Sequence, residues 1–527
     1  MNERDEKRLQ EIEVRVREIA EEFGLLTTDI LFEIVPAQRV LEGMSYMFPT
    51  NFSHWTFGRD FERSRTIYEH TGAGIPQEQV WNFENPRAFL VETNPFALNA
   101  LILCHVFGHV DFFLGSKFLQ HGRSLSDIAE EARQANDRFR RYEEAYGLTE
   151  LEATQDAGMS IMWQQDPDPF AEDVDEEEVR QRLIAAEKAH QQPTRGVGEF
   201  SRKPLTEQDV KVSNERLRQL QYKTPPEPMH DILRYIFEHS PKPLMRWQKD
   251  VLSVIRHQAR HLAPQRRTKI LDEGWATYWH VRIMRRLFAE GLITDEEHGI
   301  FNLYHSMVLR ENLEDTNPYL VGLKIFEYAE DRWDKGQFGK EYERSEDPYK
   351  RVDWDTQVGL GRHKIFEMRT LFSDRMAVEQ FFTQEFVDAN KLYLYQKTKD
   401  PKSGDTVWVI RETQAEIIRN ALKKAMLLYG QPIIRVESGH HRGKQELYLA
   451  HEFTGFELNE AYLKGALENL FFLWGRPVHI ETWEIEEEDE HHGQPIKLSK
   501  AVYSYDGKKH TNDTDDQVIP YTPWIMI

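Results

Sequence analysis

The run from Phe96 to Leu119 is almost wholly apolar, yet it holds two histidines, His105 and His109, near its middle. The Asn94-Pro95 pair ahead of it is a helix start signal. An apolar pattern with no polar face predicts a helix buried on all sides. Other elements must therefore pack all round it, and they must supply partners for two buried imidazoles. Residues four apart lie on one helix face, one turn apart, and that spacing suits two histidine ligands of a single metal ion. A second buried helix is expected to begin near Thr268 and to carry Asp272-Glu273-Gly274-Trp275-Ala276-Thr277-Tyr278-Trp279-His280. Glu273 and His280 are seven residues apart, about two turns, so they too share a face.

Charge narrows the function classes. The 527-residue chain is 30% charged with a formal net charge of −22. That argues against a general nucleic-acid binder and against docking on anionic lipid. A local basic patch such as Arg260, Arg266, Arg267 and Lys269 reads as a solvated helix or turn. Cys104 is the only cysteine, so no intramolecular disulfide can form, which fits a reducing compartment. Its position in the apolar run reads as a small buried hydrophobe. The charged N-terminus lacks the apolar core of a signal peptide, and no uncharged apolar run is long enough to span a bilayer. The expectation is a cytoplasmic protein. There is no Walker A loop, dinucleotide fingerprint, nucleophile elbow or CxxC pair, so nucleotide hydrolysis, hydride transfer and thiol chemistry find no support.

Periodicity predicts a helix over 5–23, an irregular aromatic-rich stretch over 38–95, and two helices over 124–163. Residues 166–226 hold little to bury and read as a polar acidic insertion, partly flexible. Helices resume at Ile232, break at Pro264 and continue to about residue 390. Strands are expected at 391–396 and 406–410. A repeat then pairs Leu428-Tyr429-Gly430-Gln431-Pro432 with Leu473-Trp474-Gly475-Arg476-Pro477, each a helix end, a glycine cap and a strand. The order βαββαβ is the ferredoxin-like pattern. The stretch after Glu484 reads as an acidic, then polar, partly ordered tail.

The His105/His109 pair resembles the HExxH signature of zincins, and Glu273-Gly-Trp-Ala resembles the stretch that gives gluzincin peptidases their third ligand. Val106 stands where a zincin has its general-base Glu, and a valine takes no proton from water. Another base is then needed, and His280, Asp111 and Asp272 are the nearby candidates. Asp111 serves equally as support for an imidazole. Glu152 and Asp156 read as a solvated face or as a second metal position. His257 and His261 read as surface residues. His440, His441 and His451 read as charge on a turn, while His54-Trp55 is a candidate pocket pair.

Ordered matches along the chain identify a family resemblance. They include His54-Trp55-Thr56-Phe57-Gly58, His105 through Phe113, Trp247-Gln248-Lys249-Asp250-Val251-Leu252, Pro264-Gln265, and Glu273 through His280. Further matches are Asn317-Pro318-Tyr319, Arg332-Trp333-Asp334, Arg442-Gly443 through Leu449, and Leu473 through Pro477. On these the chain resembles the SpoVR (stage V sporulation protein R) family over roughly residues 25–485. Four positions depart from the family's pattern. Asp272 stands for the usual Asn, His257 and His261 for acidic or aromatic residues, and Met159 for a His, which weakens any site built on the 152–159 helix. The resemblance implies a role in spore cortex or cell-envelope assembly. It also implies association with a serine protein kinase and a von Willebrand factor A-like protein.

The expected fold is α+β. A mainly helical, zincin-like core spans 1–165 and 227–395 and is interrupted by the 166–226 insertion. A ferredoxin-like domain spans 396–485, and a tail spans 486–527. The expected site places a divalent metal, zinc being the first candidate, on His105, His109 and Glu273, with His280 and Asp111 in catalytic roles. His280 would act as base or fourth ligand. The expected activity is that of a metal-dependent hydrolase-like protein. The alternative is a non-catalytic regulatory scaffold working with the kinase.

Overall fold

A computed structural model describes residues 2–46, 52–71, 79–120, 128–166, 170–191, 206–311, 313, 316–345, 347–399, 404–426, 431–488 and 495–520. Phe48, Gln192-Pro193 and Gly430 lie outside the described residues. The chain divides into two compact units, one of residues 1–138 and 260–430, the other of 139–259 and 431–527. The sequence-based division placed 139–165 and 227–259 with the helical core; the structure groups both with the C-terminal sheet.

The first unit is built round the apolar helix, Phe96–Gly115, here termed the histidine helix. By length and composition it is the one described helix that matches a membrane span, but 94% of its apolar window is buried inside the protein. Its start is tied to the sheet before it. Asn94 Nδ2 donates to Asn99 Oδ1 at 3.0 Å, and Asn99 Nδ2 donates to the Val91 carbonyl at 3.2 Å. That sheet has strands β1 (Leu31–Val35), β2 (Gln79–Trp81) and β3 (Arg87–Val91) in the order β1-β3-β2, with β1 and β3 parallel. The stretch expected to be irregular over 38–95 instead holds helices Ala37–Tyr46 and Trp55–Thr71 besides β2 and β3. Of its aromatic residues Phe57, Phe61 and Trp81 are buried, whereas Trp55 is exposed.

The second buried helix, Lys269–Ala289, is the glutamate helix. Trp275, Tyr278 and Trp279 are fully buried along it. Thr268 precedes it without a side-chain cap. The carboxylate of Asp374, from the start of helix Asp374–Phe381, takes over that task and accepts from the Ile270 and Leu271 N–H groups at 2.9 Å each. Glycines let this helix approach its neighbours. A Cβ on Gly108 would meet the Ala276 Cα at 2.6 Å, and Gly274 and Gly322 face each other backbone to backbone. These contacts draw the glutamate helix against the histidine helix and against helix Pro318–Asp334.

The same unit ends in a hairpin of β4 (Leu394–Lys399) and β5 (Thr406–Glu412), and then helix Ala415–Met426. The second unit holds a five-stranded sheet of β6 (Ile433–His441), β7 (Glu446–Glu452), β8 (Val478–Glu488), β9 (Pro495–Tyr505) and β10 (His510–Pro520), ordered β10-β9-β8-β7-β6. The helix of the second repeat copy, Glu460–Trp474, links parallel β7 and β8 and ends at Gly475 with φ of 74°. The ferredoxin-like order is not formed. It needs β5 between β7 and β8, but β5 pairs with β4 and β8 lies directly beside β7.

The region expected to be a tail forms β9 and β10. Its charges lie across strands, where opposite charges stabilise pairing. Lys497 meets Glu487, and Lys500 meets Glu481 at 2.9 Å. The polar insertion contains two helices, Glu176–Gln191 and Glu207–Tyr222, that pack on each other with Ser213 as their one buried residue among those described.

Candidate metal centre

The crossing of the histidine and glutamate helices brings His105, His109 and Glu273 together. All three are buried, and each offers a ligand atom within 4.8 Å of the others. His105 Nε2 and His109 Nε2 each stand 3.4 Å from Glu273 Oε2. Four ligands at about 2.1 Å from a tetrahedral ion stand about 3.4 Å apart, so this spacing fits a divalent ion bound by two nitrogens and one oxygen. The donor set fits as well, since neutral imidazoles and a carboxylate suit zinc, and two histidines with one carboxylate also suit iron(II). Glu273 turns its other oxygen to Lys269, one turn earlier on the same helix.

The remaining ring nitrogens are held from behind. His109 Nδ1 meets Asp272 Oδ1 at 2.7 Å. His105 Nδ1 meets His280 Nδ1 at 2.9 Å, and His280 Nε2 meets His305 Nδ1 at 2.9 Å. The Tyr319 ring stacks on His105 with centroids 5.9 Å apart, from the first turn of a helix capped by Asn317. The Asn317-Pro318-Tyr319 motif thus has a structural reason: it caps a helix and sets an aromatic ring against a candidate ligand.

Protonation follows the charges. Burial opposes a charged His109, but Asp272 and Glu273 outweigh it and hold its pKa well above the ordinary value. Burial pushes Glu273 up, yet His109, His105 and Lys269 hold it well below the usual carboxylate range. His280 is held well below its ordinary value, first by burial and then by the neighbouring His105, His305 and His109. A buried neutral imidazole of this kind is a hydrogen-bonding element, donating through one nitrogen and accepting through the other.

The other sequence candidates are placed as follows. Asp111 is fully buried, with its oxygens directed to structural partners. It accepts from the Leu26 N–H at 2.7 Å and from Trp275 Nε1 at 2.7 Å, and it pairs with Arg369 at 3.2 Å. It lies two residues past His109, on the far side of the helix. His280 backs His105, and both its ring nitrogens meet other histidines; neither residue is brought to the ligand side of the cluster. Among the described residues the one grouping of three or more potential ligands is His105, His109 and Glu273, so Glu152 and Asp156 complete no second position. His261 is buried rather than on the surface, whereas His257 is exposed. His54 is buried, with Nδ1 at 2.7 Å from Thr56 Oγ1. His451 is a core residue on β7; it meets Thr482 at 2.8 Å, and burial pushes its pKa down to about 4. Cys104 is buried, and burial raises its thiol pKa, in keeping with a packing role.

Sequence reasoning missed two partners. Lys269 was read as part of a solvated patch, although its i,i+4 spacing to Glu273 signals an ion pair. His305 comes from the separate helix Asp295–Val308, and nothing in the sequence ties it to His280.

Comparison with known proteins gives a family match and one distant curated relative. A family model described as SpoVR like protein matches residues 3–431. The uncharacterized protein YcgB of Escherichia coli (strain K12) is 26% identical over 318 residues, which is 59% of this chain and 61% of that protein. The match therefore spans less than two thirds of the relative's length. No solved structure matches the chain.

Proposed function

The chain belongs to the SpoVR family, and on that premise we propose that it is a cytoplasmic, metal-dependent, hydrolase-like protein acting in spore cortex or cell-envelope assembly. The observation that carries this reading is the pair of imidazole nitrogens, each 3.4 Å from one buried glutamate oxygen. Burying three ionisable groups together is costly unless they are paired or hold an ion. In this reading His105, His109 and Glu273 hold a divalent ion, with zinc first and iron(II) second. The zincin-like spacing of the two histidines on one helix supports the order. When bound, such an ion supplies Lewis acidity toward a carbonyl or a water.

The chain's own residues supply the rest. Asp272 orients His109. Its side chain is 16% exposed, so it is the carboxylate we assign to proton transfer, in place of the missing Glu at position 106. Lys269 engages one Glu273 oxygen and leaves the other toward the histidines. Cys104 as the only cysteine supports a reducing compartment.

The test is metal analysis of the purified full chain. The reading requires close to one ion per chain in the wild type and its loss in His105→Ala and Glu273→Ala. Metal absent from the wild type after exposure to zinc and to iron(II) refutes it. A second reading, a regulatory scaffold that works with a serine protein kinase and a von Willebrand factor A-like protein, is favoured by Val106, which removes the zincin base. It predicts metal binding without turnover and co-purification with the kinase.

A further inference from the structure

A chain of three histidines runs back from the cluster, each from a different helix. His105 is on Phe96–Gly115, His280 on Lys269–Ala289 and His305 on Asp295–Val308. The contacts are nitrogen to nitrogen, 2.9 Å from His105 Nδ1 to His280 Nδ1 and 2.9 Å from His280 Nε2 to His305 Nδ1. Phe301 packs against the His280 and His305 rings. It lies edge-on to His280 at 6.3 Å and stacks on His305 at 5.7 Å. We propose that His280, itself held by His305, is a positioning residue that sets the tautomer of His105 and thereby presents its Nε2 to the metal. The proposal rests on the reading that His105, His109 and Glu273 bind metal, and it assigns His280 a role other than base or ligand.

The argument is one of direction. An imidazole nitrogen that binds a metal gives its lone pair to the ion, so the proton sits on the other nitrogen and needs an acceptor. For His109 the acceptor is the Asp272 carboxylate, which accepts in any state of the ring. For His105 the partner at Nδ1 is an imidazole, which accepts only when its own proton is elsewhere. His305 provides for that. With His305 Nδ1 accepting from His280 Nε2–H, the lone pair of His280 Nδ1 faces His105. All the bonds then run outward from the metal: His105 Nδ1–H to His280 Nδ1, and His280 Nε2–H to His305 Nδ1. The reverse direction would put the lone pair of His105 on Nδ1 and the proton on Nε2, where an ion could not bind. Without His305 the His280 Nε2–H loses its buried acceptor, so the direction that leaves His105 Nε2 free for an ion costs more.

Amide side chains separate this role from simple packing. An asparagine carboxamide oxygen reaches about where histidine Nδ1 lies, whereas a glutamine carboxamide reaches the place of Nε2. The experiment is a zinc titration of the full chain against a chromophoric chelator at near-neutral pH, with thermal unfolding measured on each variant. His280→Ala is expected to bind zinc about 10–100-fold more weakly. His280→Asn is expected to recover most of that loss, His280→Gln to recover little, and His305→Ala to fall between wild type and His280→Ala. If the wild type binds no zinc, the metal-site reading fails and takes this proposal with it. If the wild type binds and a folded His280→Ala binds equally well, the positioning proposal alone is overturned. If His280→Ala does not fold, the Asn and Gln variants decide, and equal affinities for these two overturn the proposal.

Discussion

Gly108→Ala adds one methyl group at the crossing of the histidine and glutamate helices, and the structure sets its cost. The new Cβ would lie 2.6 Å from the Ala276 Cα, 3.2 Å from its Cβ and 3.3 Å from its carbonyl oxygen. Ordinary contact begins near 3.4 Å, so the two backbones must part by roughly 0.8 Å. No flexible side-chain end is available to yield. Over-packing of this kind costs about 1–3 kcal/mol. Alanine in a helix returns about 1 kcal/mol relative to glycine. The net effect is a loss of up to about 2 kcal/mol, or a fall of up to a few degrees in the unfolding temperature of a unit this size. The effect on the site is larger in proportion. Gly108 is next to His109, and Ala276 is three residues past Glu273, so the separation is transmitted to the ligands, which tolerate displacements of about 0.2 Å. Zinc affinity is expected to fall at least tenfold, by more than the stability change alone implies. Gly299→Ala, in helix Asp295–Val308 with nothing within 4 Å of the added methyl, is the control and should raise stability by about 1 kcal/mol. Calorimetry with and without zinc reads both effects. A Gly108→Ala protein with wild-type unfolding temperature and wild-type zinc affinity would refute the helix-crossing argument.

Two further substitutions probe the groups around the site. Asp111→Ala strands the buried Arg369 and removes the acceptor for Leu26 and Trp275, so it should cost about 3–5 kcal/mol while leaving zinc affinity of the folded fraction within about twofold; a large affinity loss with stability intact would instead place Asp111 in the site. Asp374 is raised by burial to about 7, despite the two N–H groups that favour its charge. Because the folded-state value lies above the ordinary one, the folded protein takes up a proton as pH falls through 7 while the unfolded chain does not. The Asp374 contribution to stability should therefore rise by about 2–3 kcal/mol from pH 8 to pH 5, and be lost again as pH climbs through 7. Asp374→Asn should flatten that part of the profile, and parallel wild-type and variant curves would contradict the assignment.

How much of this was legible in the sequence depends on whether the signal is local. The histidine helix was, because an apolar run with two imidazoles one turn apart leaves little choice of structure. The Glu273 helix was, because its aromatic stripe predicts burial. That Glu273 meets both histidines followed from residue types and shared faces, without knowledge of the path between residues 109 and 273. The outer partners were not legible. Asp272 was weighed only as a base, and its hold on His109 depends on the angle at which two helices cross. His305 and Asp374 arrive from other helices at positions no local pattern marks. The C-terminal sheet was misread because each repeat copy does pair a helix with a following strand, while strand order is a long-range property. Charged residues in β8 and β9 looked like a solvated tail until cross-strand pairing placed glutamates opposite lysines.

The central claim is that two imidazoles and one carboxylate hold a single ion. X-ray absorption at the metal edge of the zinc-loaded full chain tests it directly. The account predicts first-shell scattering from nitrogen and oxygen at about 2.0–2.2 Å, with the outer-ring signature of two imidazoles. Glu273→Ala should keep both imidazoles and lose one oxygen donor. A sulfur shell near 2.3 Å, or an oxygen-only shell without imidazole scattering, would contradict it.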